Sequence, residues 1–347
     1  MSDGSQSQPD GIEVAAVEAY FREHVPSVQP PLTFDRVAGG RSNITYVVRD
    51  TAGGSWVLRR PPLGERLGSA HDMGREHRIM SGLQGTDVPV PVTIAMCEDE
   101  SVTGAPFYVM DFVEGAVLRD QAAAEGYGDE ALRRRAGESV VDTLVALHAV
   151  DPASVGLGEL GRHDGYAERQ LKRWKRQWDE SATRELPAMD ETHALLSERI
   201  PEQQGVAFVH GDYRLDNVIL DPDGGVSAVL DWELCTLGDP LADVGLLLVY
   251  WSQEGDAVHA LGSAPTLAPG FPTRDEARAR YAEASGRDLS DVDFFVALGY
   301  WKLAAILEGV YKRYSSGAYG GDASDFDQFA KVVEQLADAA LDAAKGL

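Results

Sequence analysis

The chain has 347 residues, a hydrophobic content of 44% and a charged content of 25%, enough for about two globular units with buried cores. Its 31 Lys and Arg against 56 Asp and Glu give a net charge of −25, a field that repels polyanions and argues against a nucleic-acid partner. Cys97 and Cys235 stand far apart with no CxxC pair, so neither a disulfide framework nor a zinc site is indicated, and a cytoplasmic setting is expected.

Residues 1–11 read as a polar tail without the basic and apolar segments of a signal peptide. Helical spacing begins over Ile12 to His24. Two strands follow at Thr45 to Val48 and Ser55 to Leu58, joined by the turn Asp50-Thr51-Ala52-Gly53-Gly54. A helix over His71 to Leu83 and a strand over Phe107 to Phe112 complete an α+β region. After Gly115 long helical patterns dominate, at Ala131 to Val150, Tyr166 to Glu180, Val292 to Tyr314 and Phe326 to Ala344. Short strands interrupt them at Val206 to Val209, Val218 to Leu220 and Val226 to Leu230, the last two joined through Asp221-Pro222-Asp223-Gly224-Gly225. The Gly- and Pro-rich stretch Gly255 to Pro272 reads as an exposed loop. Apolar runs such as Val244 to Trp251 are too short to cross a bilayer, so no membrane partner is expected.

The chemistry concentrates in His210-Gly211-Asp212-Tyr213-Arg214-Leu215-Asp216-Asn217, with Asp231-Trp232-Glu233 at the end of the next strand pair. Phosphoryl transfer needs oxygen ligands for Mg²⁺ and a further carboxylate for the attacking hydroxyl. Asn217 and Asp231 suit the metal. Asp212 suits the hydroxyl, and Arg214 can offset charge on the transferred group. Asp239 and Asp243, a little further on, either brace this loop by accepting backbone N–H bonds or cap the helix that follows.

The pattern resembles the HGDxxxxN loop and following Asp of aminoglycoside phosphotransferases, which parallel the catalytic loop and DFG aspartate of protein kinases. The fuller strings HGDYRLDN and VLDWELCTLGDPLADVG are similar to the branch also found fused to acyl-CoA dehydrogenases. This resemblance implies a bilobal protein-kinase-like fold, with an N-terminal lobe of antiparallel sheet and helix over 12–113, a hinge near 110–115, and a larger, mainly helical C-terminal lobe over 114–347. It implies ATP or GTP with Mg²⁺ as cofactors and the hydroxyl of a small molecule as acceptor, an aminoglycoside, a sugar, an amino alcohol, a macrolide or a hydroxyacyl-CoA.

The same resemblance distributes further roles. Gly39, Gly40, Arg41, Ser42 and Asn43 stand where backbone N–H groups approach phosphate, although glycines there also suit an ordinary turn. Arg59 takes the place of the lysine in VAIK-like motifs, and the close branch also has arginine. Glu76 fits the helix glutamate that pairs with that cation, with a solvated helix face as the alternative. Asp111 and Val113 present backbone to adenine, with Met110 behind the base. His210 fits a scaffold histidine. Two features stand apart: Leu171, Trp174 and Trp178 with Lys172, Arg173, Lys175 and Arg176 form either a core stripe or a seat for an anionic acceptor, and Tyr300, Leu303, Leu307, Tyr311 and Tyr314 read as core rather than as an acceptor wall. A eukaryotic-type protein kinase is disfavoured, because only Glu233 to Ala242 separates Asp231 from Asp243, which leaves no room for an activation segment. A catalytically weak nucleotide-binding module is the remaining alternative, encouraged only by arginine at 59.

Overall fold

The computed structural model of the protein describes residues 9–37, 43–63, 72–259, 264–315 and 326–347. The chain divides into two compact units, Met1–Glu114 with Ser227–Glu233, and Gly115–Val226 with Leu234–Leu347.

In the first unit, helix α1 (Val14–His24) buries Val17 and Phe21, one turn apart on one face. Strands β1 (Thr33–Arg36), β2 (Ile44–Arg49), β3 (Ser55–Arg60), β4 (Thr93–Cys97) and β5 (Phe107–Asp111) form an antiparallel sheet in the order β1-β2-β3-β5-β4. Alternation along β2 turns Ile44, Tyr46 and Val48 inward, where they join Phe21, Leu58, Phe107 and Val109 in one apolar cluster. The β2–β3 turn is closed by Asp50, whose carboxylate accepts from the N–H groups of Ala52 at 2.9 Å and Gly54 at 2.7 Å.

Helix α2 (Met73–Leu83) starts at Asp72, whose side chain accepts from Arg75 N–H at 2.9 Å. Its buried face carries Met73, Glu76, Ile79, Met80 and Leu83, so helical spacing places Glu76 among apolar residues rather than in solvent.

The second unit is mainly helical. It comprises α3 (Gln121–Gly126), α4 (Glu130–Ala149), α5 (Tyr166–Ser181), α6 (Pro187–Glu198), α7 (Leu241–Tyr250), α8 (Arg274–Ser285), α9 (Val292–Ser315) and α10 (Phe326–Lys345). Strands β6 (Ala207–Val209) and β9 (Thr236–Gly238) pair antiparallel, and β7 (Val218–Leu220) leads into the Asp221 turn; β8 (Val226–Val229), after that turn, falls mostly in the segment Ser227–Glu233 of the first unit. Gly245 lets α7 press on α9, since a Cβ there would lie 2.6 Å from the backbone carbon of Phe295.

Two expectations need correction. The stretch 255–272 is not simply exposed: among its described residues Val258, Ala264 and Ala268 are buried, and Trp251 Nε1 donates to the Pro272 carbonyl at 2.7 Å. Small apolar side chains within a Gly- and Pro-rich sequence carry that packing. The apolar segments also include one longer than Val244 to Trp251: among the described residues, Val292–Arg313 has 22 residues with a mean hydropathy of 1.3 over its most apolar window, 61% of which is buried inside the protein. It is a core helix flanked by α5, α6, α7 and α10.

Candidate active site

In the second unit, β6 delivers the chain at Val209 into the loop His210–Asn217, which ends in a short 3-10 turn over Leu215–Asn217. Asp243, in the first turn of α7, accepts from the N–H of His210 at 2.6 Å and of Gly211 at 2.8 Å. Behind it His148 Nε2 donates to Asp243 at 3.4 Å, while His148 Nδ1 lies 2.7 Å from the Tyr281 hydroxyl. Burial by itself would lift the Asp243 carboxyl, but His148, His210 and the Gly211 amide outweigh it and hold the group below its usual range. Burial holds His148 in turn below the ordinary histidine range, so it stays neutral. Asp239 differs: it accepts from Leu241 N–H at 2.9 Å and from Gln204 N–H at 3.1 Å, at the start of α7. Asp243 therefore braces the loop, and Asp239 ties the start of α7 to Gln204.

Glycine is required at 211. Its φ is +83°, and a Cβ would stand 3.1 Å from both the Cβ and the carbonyl oxygen of Leu234. From α9, Lys302 Nζ donates to the Gly211 carbonyl at 2.6 Å. Burial depresses the pKa of that ammonium, opposed by Asp212 and Asp243. The N–H of Asp212 donates to His210 Nδ1 at 3.3 Å, which gives the histidine a scaffolding contact.

Along the loop, side chains alternate. Tyr213 and Leu215 are buried, and the Tyr213 hydroxyl donates to the Val140 carbonyl at 2.8 Å. Asp212 and Arg214 point the other way, and both keep some exposure. Asn217 Nδ2 donates to Asp212 Oδ2 at 3.0 Å, Arg214 Nε lies 3.4 Å from that same oxygen, and the Tyr250 hydroxyl donates to Oδ1 at 2.8 Å. Arg214 is also held 2.8 Å from Asp216, whose carboxyl burial lifts against the pull of that guanidinium. Asp212, Arg214 and Asn217 thus converge.

A second cluster lies in the first unit. Arg59 Nε stands 3.0 Å from Glu76 Oε2, and its Nη2 donates to Asp231 Oδ1 at 2.6 Å. Asn43 Nδ2 donates to Glu76 and to Glu233 at 3.2 Å each, and the Tyr108 hydroxyl donates to Glu76 at 3.0 Å. Glu76 is 1% exposed, so it is not the solvated helix residue that spacing left open. Burial raises its pKa, with Arg59 opposing. For Arg59, burial favours the neutral form, but Tyr108, Glu76 and Asp231 outweigh that and the guanidinium stays charged. Asp231 has φ +65°, a left-handed conformation that aspartate tolerates better than most residues. Asn43 Oδ1 is buried without a hydrogen-bond partner among the described residues.

Met110 is buried at the end of β5, while Asp111 is exposed and gives its N–H to the Val92 carbonyl at 2.9 Å. Any backbone contact from Asp111 to a base would therefore use its carbonyl. Val113 is partly exposed just beyond. Gly39, Gly40, Arg41 and Ser42 lie outside the described residues. On α5, Leu171, Trp174 and Trp178 are buried, Lys172 pairs with Glu168, Lys175 pairs with Asp179 and Asp190, and Arg173 covers Trp174 at 5.0 Å. This is a core stripe with a solvated rim.

Sequence reasoning missed Tyr108, Tyr250 and Lys302 and gave Glu233 no role. Tyr250 carried a usable signal, seven residues after Asp243 and hence two helical turns along the same helix.

An antiparallel sheet with its glutamate-bearing helix in one unit, and a braced HGD loop in a mainly helical other, define a protein-kinase-like phosphotransferase. The chain matches the phosphotransferase enzyme family over residues 33–295 and belongs to that family. It is 36% identical to acyl-CoA dehydrogenase family member 11 of Gallus gallus, over 97% of this chain and 44% of the relative. Against acyl-CoA dehydrogenase family member 10 of Mus musculus the identity is 36%, over 94% of this chain and 31% of the relative. The chain thus spans less than half the length of these curated relatives. Among solved structures, a Ralstonia eutropha protein provisionally named an aminoglycoside phosphotransferase aligns with a TM-score of 0.81 and 34% identity, covering 96% of this chain and 98% of that one. A thermostable mutant of aminoglycoside phosphotransferase APH(4)-Ia, solved as a ternary complex with AMP-PNP and hygromycin B, shares the fold at a TM-score of 0.61 and 16% identity, covering 96% and 100% of the two chains.

Proposed function

We propose that this phosphotransferase moves the γ-phosphoryl group of ATP, or of GTP, to a hydroxyl of a small molecule. The observation that carries the reading is the Asp212 carboxylate, braced by Asn217 and Arg214 on a loop whose own backbone is pinned by Asp243. A carboxylate so oriented accepts the proton of an alcohol as that oxygen bonds to the γ-phosphorus. The bond from phosphorus to the bridging oxygen breaks, and the nucleoside diphosphate leaves with its electron pair. Arg214 offsets the negative charge of the transferred group.

Mg²⁺, when bound, draws charge from the phosphate oxygens. Each unit offers one residue with the chemistry to hold it, Asn217 in the second and Asp231 in the first. Both hydrogen bonds of the Asn217 amide described above and at 2.8 Å to the Asp212 carbonyl use Nδ2, which turns the amide oxygen away from Asp212. A side-chain oxygen of either kind is the sort of protein ligand that Mg²⁺ takes beside water and phosphate. In the first unit, Arg59 would face the α- and β-phosphates, oriented by Glu76, and Asn43 carries the unpaired amide oxygen nearby. Met110, Asp111 and Val113 would contact adenine. That Arg59 stands within ion-pair distance of Glu76 and Asp231 supports an active enzyme over a nucleotide-binding remnant. The acceptor classes in view are aminoglycoside-like alcohols, sugars and hydroxyacyl-CoA thioesters.

Asp212→Ala is the direct test. It should leave nucleotide affinity, read by thermal shift, nearly unchanged and cut ADP release by between about 10² and 10⁴-fold, the range for losing a general base. A near-wild-type rate would refute the assignment.

A further inference from the structure

Asp212 has two carboxylate oxygens, and they are not equivalent. Oδ2 faces Asn217 and Arg214, residues of its own loop, whereas Oδ1 receives the phenol of Tyr250 at 2.8 Å from the last residue of α7. The same ring lies under the Arg214 guanidinium, 5.0 Å from carbon to ring centre. One tyrosine therefore touches both groups that the proposed reaction asks to work at the transferred phosphoryl group.

Helix α7 grips the loop twice. Its first turn supplies Asp243 to the backbone of His210 and Gly211, and seven residues later, about 10 Å along the axis, it supplies Tyr250 to the side chain of Asp212. With no loop between the two contacts, the main chain and the carboxylate are referred to one rigid element. Tyr250 and Arg214 also form walls of a cavity of about 20 Å³ shared with Arg119, Asp216, Trp251 and Thr266, room for a water-sized group such as an alcohol hydroxyl.

We infer that Tyr250 is a positioning residue for phosphoryl transfer: its hydroxyl fixes the oxygen of Asp212 that receives the acceptor's proton, and its ring fixes Arg214. The inference rests on the phosphotransfer reading above. Burial, and then Asp212, push the phenol's pKa well up, so it remains a donor throughout the working pH range.

The test is MgATP turnover, followed by ADP release with water and with an aminoglycoside, a sugar, an amino alcohol and a hydroxyacyl-CoA as acceptors. Tyr250→Phe keeps the ring and removes the donor. It should lower kcat about tenfold, a typical loss for a hydrogen bond to a charged group, with the KM for ATP and the melting midpoint nearly unchanged. Tyr250→Leu, which also frees Arg214, should lose more. In an Asp212→Asn background the Phe substitution should add nothing to the loss already present. A Phe variant at the wild-type kcat, or one losing the same factor in both backgrounds, overturns the positioning role and leaves phosphotransfer standing. Wild-type protein that releases no ADP with any of these acceptors or with water overturns both.

Discussion

Arg59 sits between two carboxylates, 3.0 Å from Glu76 and 2.6 Å from Asp231, with a side chain only 15% exposed. A guanidinium reaches both because its donors fan out from one plane, while an ammonium offers a single point of charge. Arg59→Ala leaves a buried glutamate facing an aspartate without a counter-ion and should cost roughly 3–5 kcal/mol in urea unfolding, with Arg59→Lys losing less. A loss below about 1 kcal/mol would mean that solvent reaches both acids. The sequence displays Arg59, Glu76 and Asn43 because each stands at a fixed place relative to a strand or helix. Tyr108 and Glu233 are not legible in that way. Tyr108 reaches Glu76 only because β3 and β5 pair Arg59 with Tyr108, and Glu233 meets Asn43 across 190 residues of chain.

At the scale of elements, α7 joins the pieces and is the hardest to read. Nearly every residue from Leu241 to Val249 is buried, so the 3.6-residue alternation that marks an amphipathic helix is missing. What remains visible is an apolar run, without the face that bears Asp243 and Tyr250. Helices α4, α5, α9 and α10, by contrast, keep polar and apolar faces apart or run long enough to be recognised. The contact of α4 with α7 through His148 and Asp243 carries a pH signature. The folded pKa of His148 lies below its unfolded value of about 6.5, so the unfolded chain takes up the proton first. Its contribution to stability is complete above about pH 6.5 and is lost as pH falls below that value. Melting midpoints between about pH 7.5 and 5 should therefore decline in the wild type, and His148→Gln, which cannot titrate, should show a lower midpoint and a shallower decline. Equal slopes would assign the acid sensitivity to other histidines.

Across the whole molecule a net charge of −25 works against compaction. Raising NaCl from about 10 to 200 mM shortens the screening length from roughly 30 Å to below 10 Å and should raise the melting midpoint by a few degrees. A falling midpoint would show that attractive pairs outweigh the repulsion. The family resemblance carried by the HGD loop and the following Asp was enough to reach the fold class. Long-range order was not: no local property of Ser227–Glu233 says that this segment belongs with the first 114 residues. That return of the chain makes the protein indivisible by any single cut. A fragment ending at Glu114 would keep Arg59 and forfeit Asp231, while the complementary piece would carry an orphaned strand. The Gallus gallus relative, more than twice as long, aligns with 97% of this chain rather than with one half of it.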